Sequence, residues 1–548
     1  MPLTNNRLII KTRKWLEDDE FKEILSIADY IGRESGFSLF RININKILSR
    51  GLCFEDIQDI LEMHSFQYDE DVIDELLKKL ESKKTVKLKY SNGRITADFN
   101  IFLGNLYKEK LNKILLYDRI EKKFYTLPYK HWELKSTLER LGFEVVDETG
   151  FRKSLPLPIK STFSGELRDY QHEAIQSWKK NSFKGIIALP TGSGKTVIGV
   201  AALAELGERT LIIAYTKEQL FQWRDAIIKF TNLGSHMIGF YYSVEKRLAP
   251  ITLSTYQTAF RYSSKLAPHF SLLIIDEVHH LPADKFKYIA TRIPAAKRLG
   301  LSATPYREDG KHEELFPLMG GVVYYKPPHD LVEQGYLAPY DIITIKVDLK
   351  PNEKQHYIKL LRKYKALVGS AKFEDVLAAA KRGNRKALDA LKVHSEMRLL
   401  IQQSRAKIEK VKEIINKELE NGSKIIVFAH YINLAEEIAK EVGGYLLTGD
   451  ISGRKRKAIL DRFKRAKSGV LVVTTVGDEG LDIPDASVGI LVAGTGSRRQ
   501  FVQRLGRLLR PGTGKHAKLY EVVAKGTSEE AQSKRRKTLD FDITNQQT

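Results

Sequence analysis

The segment Leu189-Pro190-Thr191-Gly192-Ser193-Gly194-Lys195-Thr196 combines two glycines, a lysine and hydroxyl side chains within eight positions. Small residues at this density let backbone N–H groups converge on phosphate oxygens, and a helix starting there adds its partial positive charge. Lys195 would neutralise β- and γ-phosphates, and the Thr196 hydroxyl would ligate magnesium. Leu189 stands where the strict P-loop pattern has its first glycine, so that pattern departs at one position. Eighty residues on, the apolar run Leu272-Leu273-Ile274-Ile275 delivers Asp276-Glu277-Val278-His279. Acids that end a strand lie at the carboxyl edge of a sheet, beside the P-loop in such folds. Asp276 is expected to hold the magnesium, and Glu277 to orient and deprotonate the attacking water. Either motif alone can be a glycine turn or a helix cap. Together they point to cleavage of a nucleoside triphosphate.

The elements that must position these groups follow from hydrophobic period. Short apolar runs at 185–189, 210–214, 251–254, 272–275 and 298–301 alternate with amphipathic helical stretches. A βαβα rhythm of this kind signals a parallel sheet covered by helices. It returns at 424–429, 445–447, 469–474, 488–493 and 518–523, and a basic, helical stretch at 354–420 separates the two blocks. Ahead of them, residues 16–81 read as helical, residues 85–125 as strand-like with a turn at Ser91-Asn92-Gly93, and residues 130–141 as a helix before a strand at 143–146. Leu155-Pro156-Leu157-Pro158 reads as an extended connector.

With 548 residues the chain has room for three or four domains, and 42% hydrophobic with 29% charged residues describes a globular protein. One cysteine, Cys53, excludes an intrachain disulfide, an iron–sulfur cluster and a cysteine-rich zinc site. The expected setting is reducing and intracellular, hence cytoplasmic. No apolar run in the opening residues is longer than Leu8-Ile9-Ile10, so no signal peptide is expected, and nowhere do about 18 apolar residues follow one another, so no membrane span is expected either. The net charge of +22 lies beyond residue 150, because residues 1–150 hold 25 basic and 26 acidic side chains. Residues 350–420 alone hold 18 basic against 9 acidic. Such a field attracts polyanions without choosing a sequence, and a lysine-rich solvated surface is the competing explanation.

Several further segments resemble the motifs of superfamily 2 helicases. Arg168-Asp169-Tyr170-Gln171 resembles the adenine-sensing Q motif, Ile212-Ile213-Ala214-Tyr215-Thr216 motif Ia, Ser254-Thr255-Tyr256-Gln257 the strand-contacting motif after it, and Leu301-Ser302-Ala303-Thr304 motif III. Val427-Phe428 lies in a motif IV position. Thr474-Thr475-Val476-Gly477-Asp478-Glu479-Gly480-Leu481-Asp482 resembles motif V, and Gln503-Arg504-Leu505-Gly506-Arg507-Leu508-Leu509-Arg510 motif VI. Within that superfamily the segment Asp276-Glu277-Val278-His279-His280-Leu281-Pro282-Ala283, the triplet Arg307-Glu308-Asp309 and the helical region at 350–420 are similar to the XPB family, known from nucleotide excision repair and transcription factor TFIIH. The short length and the absence of long acidic or low-complexity tails resemble its archaeal branch more than the eukaryotic one. Tyr215 departs from the family, where many members have proline.

The resemblance implies an α/β fold with two RecA-like parallel-sheet domains, a helical thumb-like insertion and a smaller N-terminal α+β region. The expected boundaries are a helical extension at 1–82, a damage-recognition-like domain at 83–155, the first RecA-like domain at 156–340, the insertion at 350–420 and the second RecA-like domain at 421–548. It implies ATP and magnesium as cofactors and DNA as partner, together with a nuclease or other repair protein. Arg168, Gln171, Gly480 and Asp482 would meet the nucleotide beside the loop from Leu189 to Thr196. Gln503, Arg507 and Arg510 would complete the catalytic set across the cleft. Thr255, Thr474, Arg307, Glu308 and Asp309 would touch DNA. The expected activity is a 3′–5′ DNA helicase or translocase acting in repair. The rival readings are an ATP-driven clamp that recruits a nuclease, an RNA helicase, and a motor fused to its own nuclease. No carboxylate–lysine constellation in residues 1–160 supports the last.

Overall fold

Alternating burial organises the N-terminal end. Strands β1 (Ile9–Thr12), β2 (Ala28–Glu34) and β3 (Phe37–Ile42) form an antiparallel sheet in the order β1-β3-β2. Ile10, Phe40 and Ile42 point into a core while their neighbours do not, the two-residue period of a sheet with one buried face. Helices Asp18–Leu25, Ile44–Arg50, Phe54–Met63 and Glu70–Leu80 supply Ile24, Ile47, Ile57, Leu61, Val72 and Leu76 to the same core. The reading of residues 1–82 as purely helical is therefore corrected. Its three strands are four to seven residues long, too short for their period to stand out beside four helices. The computed structural model describes residues 8–50, 52, 54–80, 84–101, 103–283, 285–304, 311–474, 486–492 and 516–538.

Next comes a five-stranded sheet of β4 (Thr85–Ser91), β5 (Arg94–Phe99), β6 (Leu116–Asp118), β7 (Lys123–Thr126) and β8 (Glu144–Asp147), ordered β6-β7-β5-β4-β8. The β4–β5 hairpin turns through Asn92 and Gly93, both at positive φ (51° and 76°), the turn whose twist matches that of paired strands. Helix His131–Arg140 covers the sheet with Leu134 and Leu138. Residues 259–273 and 283–297, far on in sequence, pack with this N-terminal part. Ala267 enters its core, and the Trp132 indole N–H donates to the Pro294 carbonyl at 2.6 Å.

Aliphatic runs with both faces buried then become parallel strands. The first large sheet contains β9 (Lys184–Ala188), β10 (Thr210–Ala214), β11 (Ile238–Tyr241), β12 (Ile251–Thr255), β13 (Leu272–Asp276), β14 (Lys297–Ser302) and β15 (Val322–Tyr325), in the order β11-β12-β10-β13-β14-β9-β15. The pairs of described register in this sheet are all parallel. β9, β10, β12, β13 and β14 coincide within a residue or so with the runs read from sequence. β11 and β15, the two edge strands, are additional.

The second sheet contains β16 (Tyr340–Val347), β17 (Lys424–Ala429), β18 (Tyr445–Leu447), β19 (Gly469–Thr474), β20 (Val488–Leu491) and β21 (Ala517–Ala524), all parallel, in the order β16-β21-β20-β17-β19-β18. β16 pairs with β21 along its whole length, from Tyr340–Ala517 to Val347–Ala524. The second domain therefore begins its sheet before the helical insertion and not at residue 421. The insertion is also shorter than 350–420. Helices Pro351–Val368 and Arg385–Gln402 pack on each other through Tyr357, Leu360, Val393, Met397 and Ile401. Helix Arg405–Glu420 instead buries Ile408, Val411, Ile414 and Ile415 against the second sheet. No described helix is long and apolar enough to cross a membrane.

Candidate active site

β9 runs directly into the glycine loop, and the helix Lys195–Leu206 starts at its end. Gly194 has φ +81°, and a side chain there would strike the Gln171 amide nitrogen at 2.5 Å, so glycine is required twice over. The loop is braced from the Q-motif segment. Tyr170 donates its hydroxyl to the Ser193 carbonyl at 2.6 Å, and the Gln171 amide donates to the same oxygen at 2.9 Å. Arg168 reaches the Tyr170 hydroxyl at 3.2 Å and the Tyr336 carbonyl at 3.3 Å. Lys195 is almost fully buried and donates to the carbonyls of Leu189 (3.0 Å) and Pro190 (3.2 Å). The Ser193 hydroxyl donates to Pro190 as well, at 2.7 Å. The buried Thr191 hydroxyl has no hydrogen-bond partner among the described residues.

Motif II lies at the end of β13. Both Asp276 carboxylate oxygens are engaged: Oδ1 accepts the Glu277 N–H at 3.0 Å, and Oδ2 accepts the Trp223 indole N–H at 3.0 Å. Tyr256 donates its hydroxyl to the carbonyls of Asp276 and Glu277, each at 3.0 Å. Glu277 sits in the left-handed region at φ +48°, ψ +50°, a conformation that a non-glycine residue keeps only where its surroundings over-determine it. His279, fully buried, places Nδ1 3.3 Å from Glu277 Oε2 and 3.1 Å from the Ser302 hydroxyl. Ser302 donates its own proton to the Thr304 carbonyl at 2.7 Å, so its oxygen is the acceptor for His279 Nδ1–H. The Tyr215 ring stacks on His280 at 4.2 Å and 14°.

Burial dominates the electrostatics. It pushes the Lys195 ammonium below its usual pKa, against the opposing charges of Glu277 and Asp276. It pushes Asp276 above the usual carboxylate range, against the Trp223 N–H, Lys195 and the Glu277 N–H. It also raises Tyr256 well above its usual value, with Asp276 and Glu277 adding to the rise, so that hydroxyl stays a donor. Buried charges of this kind are stabilised by a ligand that brings counter-charges with it. The Asp276 carboxylate and the Thr196 hydroxyl are hard oxygen donors. Their number, one or two beside phosphate oxygens and water, suits magnesium.

Of the residues picked from sequence, hydrogen bonds link Arg168 and Gln171 to the glycine loop at Ser193, and Asp276 and Glu277 lie close enough to Lys195 to act on its charge. Thr255 is only 7% exposed and donates to the Thr258 hydroxyl at 3.1 Å, so its side chain faces inward. Thr474, at the end of β19, is 2% exposed and its hydroxyl has no hydrogen-bond partner among the described residues. Arg307, Glu308, Asp309, Gly480, Asp482, Gln503, Arg507 and Arg510 lie outside the described residues. Sequence reasoning missed Trp223 and the roles of Tyr170 and Tyr256. Each is an aromatic on a buried face, which a sequence pattern assigns to core packing, and only the polar tip separates it from that class.

Comparison with known proteins adds the following. A family model described as type III restriction enzyme, res subunit, matches residues 164–307. A model described as ERCC3/RAD25/XPB C-terminal helicase matches residues 385–545. The DNA 3'-5' translocase XPB2 of Sulfurisphaera tokodaii is 37% identical over 427 residues, covering 76% of this chain and 94% of that protein. The DNA 3'-5' helicase XPB of Kineococcus radiotolerans is 32% identical over 414 residues, covering 74% of this chain and 68% of that protein. The general transcription and DNA repair factor IIH helicase/translocase subunit XPB of Enterocytozoon bieneusi is 25% identical over 95% of this chain and 87% of that protein.

Proposed function

The chain belongs to the XPB family of superfamily 2 helicases, and from that premise we propose an ATP-dependent DNA translocase or helicase of 3′–5′ polarity that opens or remodels duplex DNA, acting in repair. The observation that supports this reading most is one sheet edge. β9, β14, β13 and β10 are neighbours in that order, and their carboxyl ends lead to Lys195, Ser302, Asp276 with Glu277, and Tyr215. Nucleotide chemistry and the motif Ia segment therefore share a rigid scaffold.

On this reading Lys195 exchanges the Leu189 and Pro190 carbonyls for phosphate oxygens. Asp276 and Thr196 hold magnesium, which when bound supplies charge neutralisation at the phosphates. Glu277 accepts the proton of the attacking water, and His279 fixes the carboxylate against motif III through Ser302. Arg507 and Arg510 contribute positive charge to the transferring phosphoryl group, an effect of about 10³–10⁵ in rate in related enzymes. Gly480, Asp482 and Gln503 complete the nucleotide site from the same second-domain motifs. Arg307, Glu308 and Asp309 grip DNA near a strand junction. Thr255 and Thr474 meet the backbone only after their hydroxyls turn outward. A nuclease or other repair protein acting on the opened DNA is the partner class this activity requires.

The test is ATP hydrolysis measured with single-stranded, duplex and forked DNA and with matched RNA, beside a strand-displacement assay. The expected result is strong stimulation by DNA, weak stimulation by RNA and displacement of a strand. Equal stimulation by RNA contradicts the DNA assignment, and hydrolysis without displacement or translocation leaves a clamp in place of a motor.

A further inference from the structure

Trp223 carries an observation that the proposed function does not use. Its indole N–H can only donate, and a carbonyl would satisfy it as well as a carboxylate. It is 1% exposed, yet it is directed at Asp276 Oδ2 at 3.0 Å. The ring has no freedom to turn away. A methyl group on Gly199 would lie 2.4 Å from the indole Cη2 and 3.3 Å from Leu301, so the indole is seated directly on the helix that begins with Lys195. A missing side chain at Gly199 and a bulky one at Trp223 together fix the direction of that N–H.

The other end of the lever is equally defined. Trp223 belongs to the helix Lys217–Phe230, whose cap is Thr216. One turn before it, Gln219 Oε1 accepts the backbone N–H groups of Tyr215 (3.0 Å) and Thr216 (2.9 Å). Positions four apart share a helix face, so Gln219 and Trp223 move as one unit. The end of β10 is thereby joined to Asp276 through one helical turn. The Tyr215–His280 stack ties the same strand end to the far side of motif II.

We propose that Trp223 is a positioning residue for the carboxylate that holds the metal–nucleotide, and that it makes this grip depend on the seating of the strand end at Tyr215 and Thr216. The inference rests on the proposed function and adds the route by which DNA at the motif Ia edge regulates the nucleotide site. Because the coupling is a free energy between two sites, it must act in both directions: DNA changes metal–nucleotide affinity by the same factor as metal–nucleotide changes DNA affinity.

The experiment measures the dissociation constant of a fluorescent ADP analogue, with magnesium or with EDTA, and with or without a duplex oligonucleotide, on the full chain. Trp223→Phe keeps an aromatic ring against Gly199 and removes the donor. It is expected to weaken magnesium-dependent binding about 10-fold while leaving binding in EDTA unchanged, the size typical of lost outer-shell support at a metal site. The DNA-dependent factor seen in the wild type is expected to fall toward one. Gln219→Leu, on a partly exposed side chain, cuts the lever at its other end and is expected to lower the DNA factor as well; it provides the test if Trp223→Phe does not fold. Equal weakening with and without magnesium, or an unchanged DNA factor in both variants, overturns the proposal. Wild-type ATP hydrolysis that ignores DNA defeats the proposed function itself, a result distinct from failure of either variant.

Discussion

His279 donates from Nδ1 to the Ser302 hydroxyl at 3.1 Å while the same nitrogen lies 3.3 Å from Glu277 Oε2. Motif III and Glu277, the residue we propose as the general base, thus meet at one imidazole that solvent does not reach. Ser302→Ala removes the acceptor and frees the ring to turn. The expected result is a fall of about tenfold in kcat for DNA-stimulated ATP hydrolysis with little change in KM, the pattern of a lost orienting contact. Steady-state kinetics at saturating DNA measure it, and a raised KM at constant kcat would assign Ser302 to binding instead.

In the second domain, Lys407 and Glu529 form a buried ion pair with both carboxylate oxygens 2.8–2.9 Å from the ammonium. Glu529 also accepts the Ala524 N–H at 3.1 Å, which ties the helix Ser528–Thr538 to the end of β21. Lys407→Ala leaves a buried carboxylate without its counter-charge and is expected to cost about 3–5 kcal/mol. Lys407→Met with Glu529→Leu removes both charges and is expected to be far milder. Chemical denaturation of the three proteins decides this, and equal losses in single and double variants would contradict it.

His131, fully buried, has Nε2 3.0 Å from Asp147 Oδ2 in the small N-terminal sheet domain. Burial pushes its pKa below the ordinary value near 6.5, outweighing the pull of Asp147 in the other direction. The unfolded chain therefore binds the proton first. Stability from this group is fully present above about pH 6.5 and declines as the pH falls below it, by at most about 1.4 kcal/mol per pH unit. Asp147, held below its usual range, adds a second loss below about pH 4. Hydrogen exchange of amides 131–147, corrected for intrinsic rates, should show easier opening at pH 5.5 than at 7.5. His131→Gln should flatten that dependence; an unchanged slope would mean that His131 does not titrate as described.

Much of the molecule is legible in the sequence because parallel strands buried on both faces leave unbroken aliphatic runs. Thr210–Ala214, Lys424–Ala429, Tyr445–Leu447 and Gly469–Thr474 fall where those runs lie. The loop 189–196 and Asp276-Glu277 are legible because phosphate chemistry requires particular residue types at fixed spacing. β16 was missed because its pairing depends on β21, 177 residues further along the chain, and its own residues are mostly half-buried. The hydrogen bonds of Trp223 and Tyr256 were missed because an indole or phenol in a helix looks like any other core aromatic until its partner is known. The inward turn of Thr255 depends on Thr258, a choice between solvent and neighbour that local sequence does not dictate.

We propose that Lys195, Asp276 and Glu277 perform an ATP cleavage that DNA switches on. Its most direct measurement is the rate of phosphate release by the wild type, Lys195→Ala and Glu277→Gln, each with and without duplex DNA. The expected result is DNA stimulation in the wild type, no turnover in Lys195→Ala, and a fall of about 10²–10⁴ in Glu277→Gln with nucleotide binding retained. Turnover in the wild type that is indifferent to DNA, turnover that persists in Lys195→Ala, or turnover that Glu277→Gln leaves undiminished contradicts it.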